Sequence, residues 1–129
     1  GTAWEVDLLD VEALESLQLR TDILVNNAGV QSIHEIAEFP PERFRMMMTL
    51  MVEAPFLLIR AALPHMYRSG FGRVINISSV HGLRASPFKV AYVTAKPALE
   101  GLSEVTALER GPHAVPRNCL NPGSARPCL

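Results

Sequence analysis

Two short apolar runs, Ile23-Leu24-Val25 and residues 74–78, bracket a long helical stretch, and each breaks off into polar sequence at its end. The first opens into Asn26-Asn27-Ala28-Gly29 and the second into Ser78-Ser79. Runs this short and this rich in β-branched residues read as strands, whereas residues 44–67 repeat their apolar positions at helical spacing. Strand and helix in alternation argue for an α/β fold built on a parallel sheet. Open sheets of that kind take their ligands at the carboxyl ends of the strands, which is where the glycine turn and Ser79 fall.

The rest of the chain extends the alternation. Gly1 and the residues up to Asp7 read as a strand with Asp7 at its carboxyl end, and Asp10 is placed to cap a short helix whose apolar side carries Val11, Leu14 and Leu17. After the strand at 22–26, Pro40-Pro41 announces a helix with Glu42 in its first turn. The helical pattern over 44–67 is apolar on more than one side, so it has a second surface to bury, and Pro55 and Pro64 are expected to interrupt it. Ser69-Gly70-Phe71-Gly72 ends it, and a strand over 73–78 follows. A second helix carries Tyr92 and Lys96, with Ala91, Ala95, Ala98 and Gly101 small enough for another helix to approach, and Gly111-Pro112 stops it. Pro116, just before the last strand, 117–120, limits pairing to a sheet edge or to the strand's first residue. No repeat or linker divides residues 1–129, which read as one unit.

Composition excludes several classes of function. With 12 basic and 13 acidic residues and a net charge of −1, there is no charge excess to hold nucleic acid or an acidic membrane surface. Cys119 and Cys128 have neither C-x-x-C nor histidine spacing, so neither a disulfide framework nor a metal site is expected. The most apolar stretch, 46–59, contains Glu53 and Pro55 between Arg45 and Arg60 and reads as too short and too interrupted to span a bilayer. Without a signal peptide at its start, the chain is expected to be cytoplasmic.

The chemistry lies in Tyr92-Val93-Thr94-Ala95-Lys96. A Tyr four residues before a Lys puts phenol and ammonium on one helical face, where the cation can stabilise a phenolate. Together with Asn26-Asn27-Ala28-Gly29 and Ser79, in that order, this pattern resembles the short-chain dehydrogenase/reductase family. The resemblance implies a Rossmann-type, doubly wound parallel sheet of which this chain holds the middle, because the glycine-rich first unit and the C-terminal end have no counterpart here. It also implies hydride exchange with NAD, with Ser79 holding the substrate oxygen, Tyr92 exchanging the proton and Lys96 tuning the phenol and meeting the cofactor ribose. By the same resemblance Asp7, Asn27, Ala28, Gly29, Tyr92, Lys96, Pro122 and Gly123 contact the cofactor, and the parent protein is a homotetramer.

Gln31, His81 and Lys89 are spaced from these motifs as in the D-3-hydroxybutyrate dehydrogenase branch of the family. There the three hold the carboxylate of a small 3-hydroxy or 3-keto acid, beside Ser79 and Tyr92 at its other end. Lys89 would supply charge, and Gln31 and His81 neutral donors. A reductase of 3-oxoacyl thioesters is the nearest alternative, and a non-catalytic remnant that associates with a full-length relative is a second. Several departures count against activity, and the missing glycine-rich turn, Met51 and Pro97 favour the remnant. Met51 stands where the family has an Asn that helps to hold a proton-relay water, and a thioether cannot replace an amide's hydrogen bonds. Ser124-Ala125-Arg126-Pro127 does not match the family's cofactor-contacting Thr. Pro97, directly after Lys96, is expected to cost about 3 kcal/mol and to displace its neighbours. As a truncated form, the chain is expected to be inactive alone.

Overall fold

The computed structural model describes residues 3–82, 84–109, 117–120 and 122. Three strands, β1 (Ile23–Asn26), β2 (Arg73–Ile77) and β3 (Arg117–Leu120), form a parallel sheet in the order β1-β2-β3. Its register pairs Asn26 with Asn76 and Ile77 with Leu120. Parallel neighbours cannot be joined by a tight turn, and the crossovers are helical. Helices α2 (Pro41–Met48) and α3 (Ala54–Ser69) connect β1 to β2, and α4 (Val90–Leu108) lies between β2 and β3. Short α1 (Val11–Glu15) precedes β1 and packs on α3 through Leu14, Leu57 and Leu58. Its Asp10 cap is as the sequence implies, the carboxylate accepting from the Ala13 N–H at 3.0 Å.

The two faces of the sheet differ. Leu24, Asn26, Val74 and Asn76 turn toward the helices, and Val74 and Asn76 are fully buried. Ile23 and Val25 alternate to the other side and are about half exposed, with no described element covering them. Residues 3–7 form no strand, contrary to the expectation from sequence. A parallel strand exists only by pairing, and no described strand lies beside them.

The helical stretch between β1 and β2 corrects a second expectation. Pro55 does not interrupt it; residues Pro41–Ser69 run helically for 29 residues, long and apolar enough by length and composition to cross a bilayer. A regular α-helix would set the Pro55 ring against the Met51 carbonyl with no N–H to offer. The chain instead widens into a π turn over Thr49–Glu53, in which the Ala54 N–H reaches back to the Thr49 carbonyl. Pro55 then falls in the first turn of α3, where a helix has spare donors. The stretch serves as a core helix: Ile59, Ala62 and Met66 pack on Val74 of β2, and Met47 and Met51 pack on Ala91 and Ala95 of α4. Gly70 ends α3 at φ 68°, a left-handed cap that favours glycine.

Pro97 likewise leaves α4 unbroken: it lies inside Val90–Leu108, at an exposed position. The small residues of α4 divide in use. Ala91 and Ala95 receive the π turn, whereas Gly101 faces open space. The helix stop at Gly111-Pro112 and Pro116 lie outside the described residues.

A chain of buried polar groups ties α4 to the sheet. The Asn26 amide donates to Asn76 Oδ1 at 2.8 Å, the Asn76 amide donates to Ser103 Oγ at 2.7 Å, and the Ser103 hydroxyl donates to the Leu99 carbonyl at 2.8 Å. Removing the middle member strands two buried partners, so Asn76→Ala should lower unfolding free energy by about 1–3 kcal/mol. Asn27→Ala, at an exposed position, should stay within about 0.5 kcal/mol of the parent chain. Urea unfolding of both variants checks this, and equal losses would show that the amide chain does not hold the sheet and α4 together.

Candidate active site

The carboxyl ends of the strands deliver the site. Asn27-Ala28-Gly29 leaves β1, Ser78-Ser79 leaves β2 and runs into a tight turn over Val80–Gly82, and Pro122 follows β3. The first turns of α4 stand over them. Between these elements lies a cleft of about 520 Å³, whose walls include Asn27, Gly29, Gln31, Ser79, His81, Lys89, Tyr92, Lys96 and Pro122. Nine of the positions singled out in the sequence therefore meet in one place. Ala28 is not in the walls. Asp7 lies outside the cleft, exposed, with its carboxylate accepting from the Leu9 N–H at 2.9 Å. Gly123 lies outside the described residues.

Tyr92 and Lys96 sit one helical turn apart, as their spacing requires. Lys96 is only 4% exposed, so its ammonium needs compensation from polar neighbours. It donates to the Ile77 carbonyl at 2.7 Å and stands 5.4 Å from the centroid of the Tyr92 ring. Both contacts favour the charged amine, the first as a charge-assisted hydrogen bond and the second through the negative face of the ring. The two adjacent serines divide their work. Both line the cleft, but Ser78 donates to the Lys96 carbonyl at 3.3 Å and braces the helix, whereas Ser79 accepts from the His81 N–H at 3.2 Å.

Gly29 closes the floor. A β-carbon there would lie 3.5 Å from Met51 Sδ and 3.8 Å from Lys96 Nζ, filling the gap between them. Met51 is 1% exposed and occupies the π turn, so a thioether and not an amide borders the gap beside Gly29 that Lys96 Nζ also borders. On the far side of Tyr92, the His81 ring packs edge-on at 5.9 Å and 87°, and Lys89 Nζ lies 3.4 Å from His81 Nε2. A flat cleft with a buried cation beside a phenol, a hydroxyl opposite and a second cation one ring away can exchange a proton with a substrate oxygen and hold an anionic group nearby.

Two participants were not evident from the sequence. The Ile77 carbonyl carries no side-chain signal, and Ser86, whose hydroxyl lies 3.3 Å from His81 Nδ1, reaches the site only through the folding of its loop. Among the described residues no group of His, Cys, Asp or Glu side chains could hold a metal ion.

Comparison with known proteins points the same way. Residues 6–127 match the family model described as short chain dehydrogenase. Over 102 residues the chain is 48% identical to the D-beta-hydroxybutyrate dehydrogenase of Rhizobium meliloti (strain 1021), which takes in 79% of this chain and 40% of that protein's length. Among solved structures it is similar to a short-chain dehydrogenase from Streptomyces avermitilis, with a TM-score of 0.86 and 34% identity over 95% of this chain and 48% of that one. It is also similar to 4-hydroxyisoleucine dehydrogenase complexed with NADH, with a TM-score of 0.84 and 34% identity over 94% of this chain and 57% of that one. Since the matched region holds the strand ends, the serine and the Tyr92 and Lys96 pair that together build the cleft, the chain belongs to the short-chain dehydrogenase family of oxidoreductases.

Proposed function

We propose that the protein carrying this chain interconverts (R)-3-hydroxybutyrate and acetoacetate with NAD. The observation that carries this reading is the placement of the Lys89 ammonium, which is separated from the Tyr92 phenol by the single ring of His81. A short keto acid has its carboxylate only two carbons from its ketone, so the two ends need a cation and a proton donor this close together. Gln31 in the same cleft adds a neutral donor. The name of the Rhizobium meliloti relative supports the same substrate.

NAD, when bound, exchanges a hydride with the carbon that bears the substrate oxygen. The residues fit a flat cofactor at the cleft floor, because Gly29 has no side chain to fill the gap beside Met51 and Lys96. Asn27, Gly29, Tyr92, Lys96 and Pro122 would hold it. In the direction of reduction, Ser79 donates a hydrogen bond to the ketone oxygen and Tyr92 gives that oxygen its proton. Lys96, fixed on the Ile77 carbonyl, stabilises the phenolate that remains. The sequence has no glycine-rich turn opening a helix, and pyrophosphate binding relies on such a helix N-terminus. The chain by itself should therefore bind NAD with a Kd above about 1 mM in calorimetry, and micromolar binding would show that the cleft residues alone suffice.

The substrate assignment is tested by placing this chain in the matching segment of the Rhizobium meliloti enzyme. Lys89→Ala should lower kcat/KM for acetoacetate by about ten- to a hundredfold while sparing butanone, a neutral ketone of similar size. Tyr92→Phe should abolish turnover of both, since one proton donor serves either ketone. An unchanged ratio of the two kcat/KM values after Lys89→Ala would remove the carboxylate assignment. It would favour a 3-oxoacyl thioester, which has no carboxylate to neutralise.

A further inference from the structure

We propose that His81 acts as a positioning residue: the loop that follows it fixes its ring as the Nδ1–H tautomer, so that Nε2 accepts from Lys89 and holds that ammonium at the cleft wall. This rests on the reading that Lys89 meets the substrate's carboxylate, and it changes the role expected for His81 from donor to acceptor.

The tautomer follows from its partners. The Arg84 N–H donates to the Val80 carbonyl at 3.1 Å and folds the loop back on itself, which brings the Arg84 carbonyl to 3.3 Å from His81 Nδ1. A carbonyl oxygen only accepts, so that nitrogen carries the hydrogen. Ser86 Oγ stands 3.3 Å from the same nitrogen and can share the hydrogen through a lone pair, its own hydroxyl hydrogen being free to turn elsewhere. Lys89 Nζ, 3.4 Å from Nε2, is a donor only. The neutral ring protonated on Nδ1 is the one state that satisfies every neighbour; a hydrogen on Nε2 would face the three hydrogens of the ammonium.

The ring and the ammonium are both held in place. Edge-on packing against Tyr92 fixes the ring plane. Phe88, just before Lys89, takes φ 64°, a left-handed conformation that costs an aromatic residue energy, and the His34 N–H holds it by donating to the Phe88 carbonyl at 3.0 Å. That reversal sets Lys89 at the start of α4, facing the cleft. Among the described residues no carboxylate forms an ion pair with it; the ion pair there joins His65 and Asp22. Lys89 thus presents an uncompensated charge, aimed by a neutral acceptor that does not compete with an incoming anion.

The test needs no substrate. Long-range proton–nitrogen correlation spectra of the imidazole in this chain, recorded where His81 is neutral, should show Nδ1 protonated and Nε2 bare. Free histidine side chains favour the opposite tautomer, so the result is diagnostic. In Lys89→Ala the tautomer should persist while the Nε2 resonance moves downfield, toward that of a lone pair without a donor. A hydrogen on Nε2, or an Nε2 resonance that Lys89→Ala leaves in place, would overturn the proposal. Either failure concerns His81 alone, whereas the acetoacetate-to-butanone ratio tests the substrate reading separately.

Discussion

Everything at the cleft depends on how α4 is pinned to the sheet. Apolar contacts on this helix come mainly from Ala91, Ala95 and Leu99, small or smooth groups that would tolerate a slide along the axis. Polar contacts would not. Asn76 meets Ser103, Ser78 meets the Lys96 carbonyl, and the Lys96 ammonium meets the Ile77 carbonyl. A shift of one turn, about 5.4 Å, would break all three bonds and leave buried groups unpaired. The end of β2 and the two residues after it thus supply the groups that fix the height of the helix, and Ser79, next along, lines the cleft with Tyr92.

The packing behind the cleft is shaped by a proline. Because Pro55 cannot continue a regular helix, the chain widens at Thr49–Glu53, and the π turn thrusts Met51 against Ala91, Ala95 and the gap beside Gly29. Met47, Met51 and Phe39 form one of the core clusters with the first turns of α4, so α4 is packed from the side by the segment that carries the π turn. A flexible, polarizable thioether fills an irregular gap well, but it offers no strong hydrogen bond to a proton path.

The elements that periodicity and turn residues could identify were legible: β1, β2, the helix carrying Tyr92 and Lys96, the Asp10 cap and the glycine stop at Gly70. So was most of the site, because Ser79, Tyr92, Lys96 and the asparagine-glycine turn occupy strand ends and a helix face whose geometry follows from spacing. What the sequence concealed depends on tertiary context. Residues 3–7 have strand-like composition and no described partner strand. Pro55 and Pro97 read as breaks, yet one was absorbed by a wider turn and the other faced solvent. The role of His81 turns on a carbonyl three residues onward, which no residue type announces. The Asp7 carboxylate accepts from the Leu9 N–H, a local turn contact that its residue type alone does not announce.

The central claim is that the register of α4 over β2 builds the site, and nuclear Overhauser contacts in this chain test it most directly. Cross-peaks are expected between the rings of Tyr92 and His81, and from Gly29 to the side chains of both Lys96 and Met51. A spectrum in which α4 shows its sequential helical contacts but none of these long-range ones would contradict it, because the helix would then exist without the position that gives the cleft its chemistry.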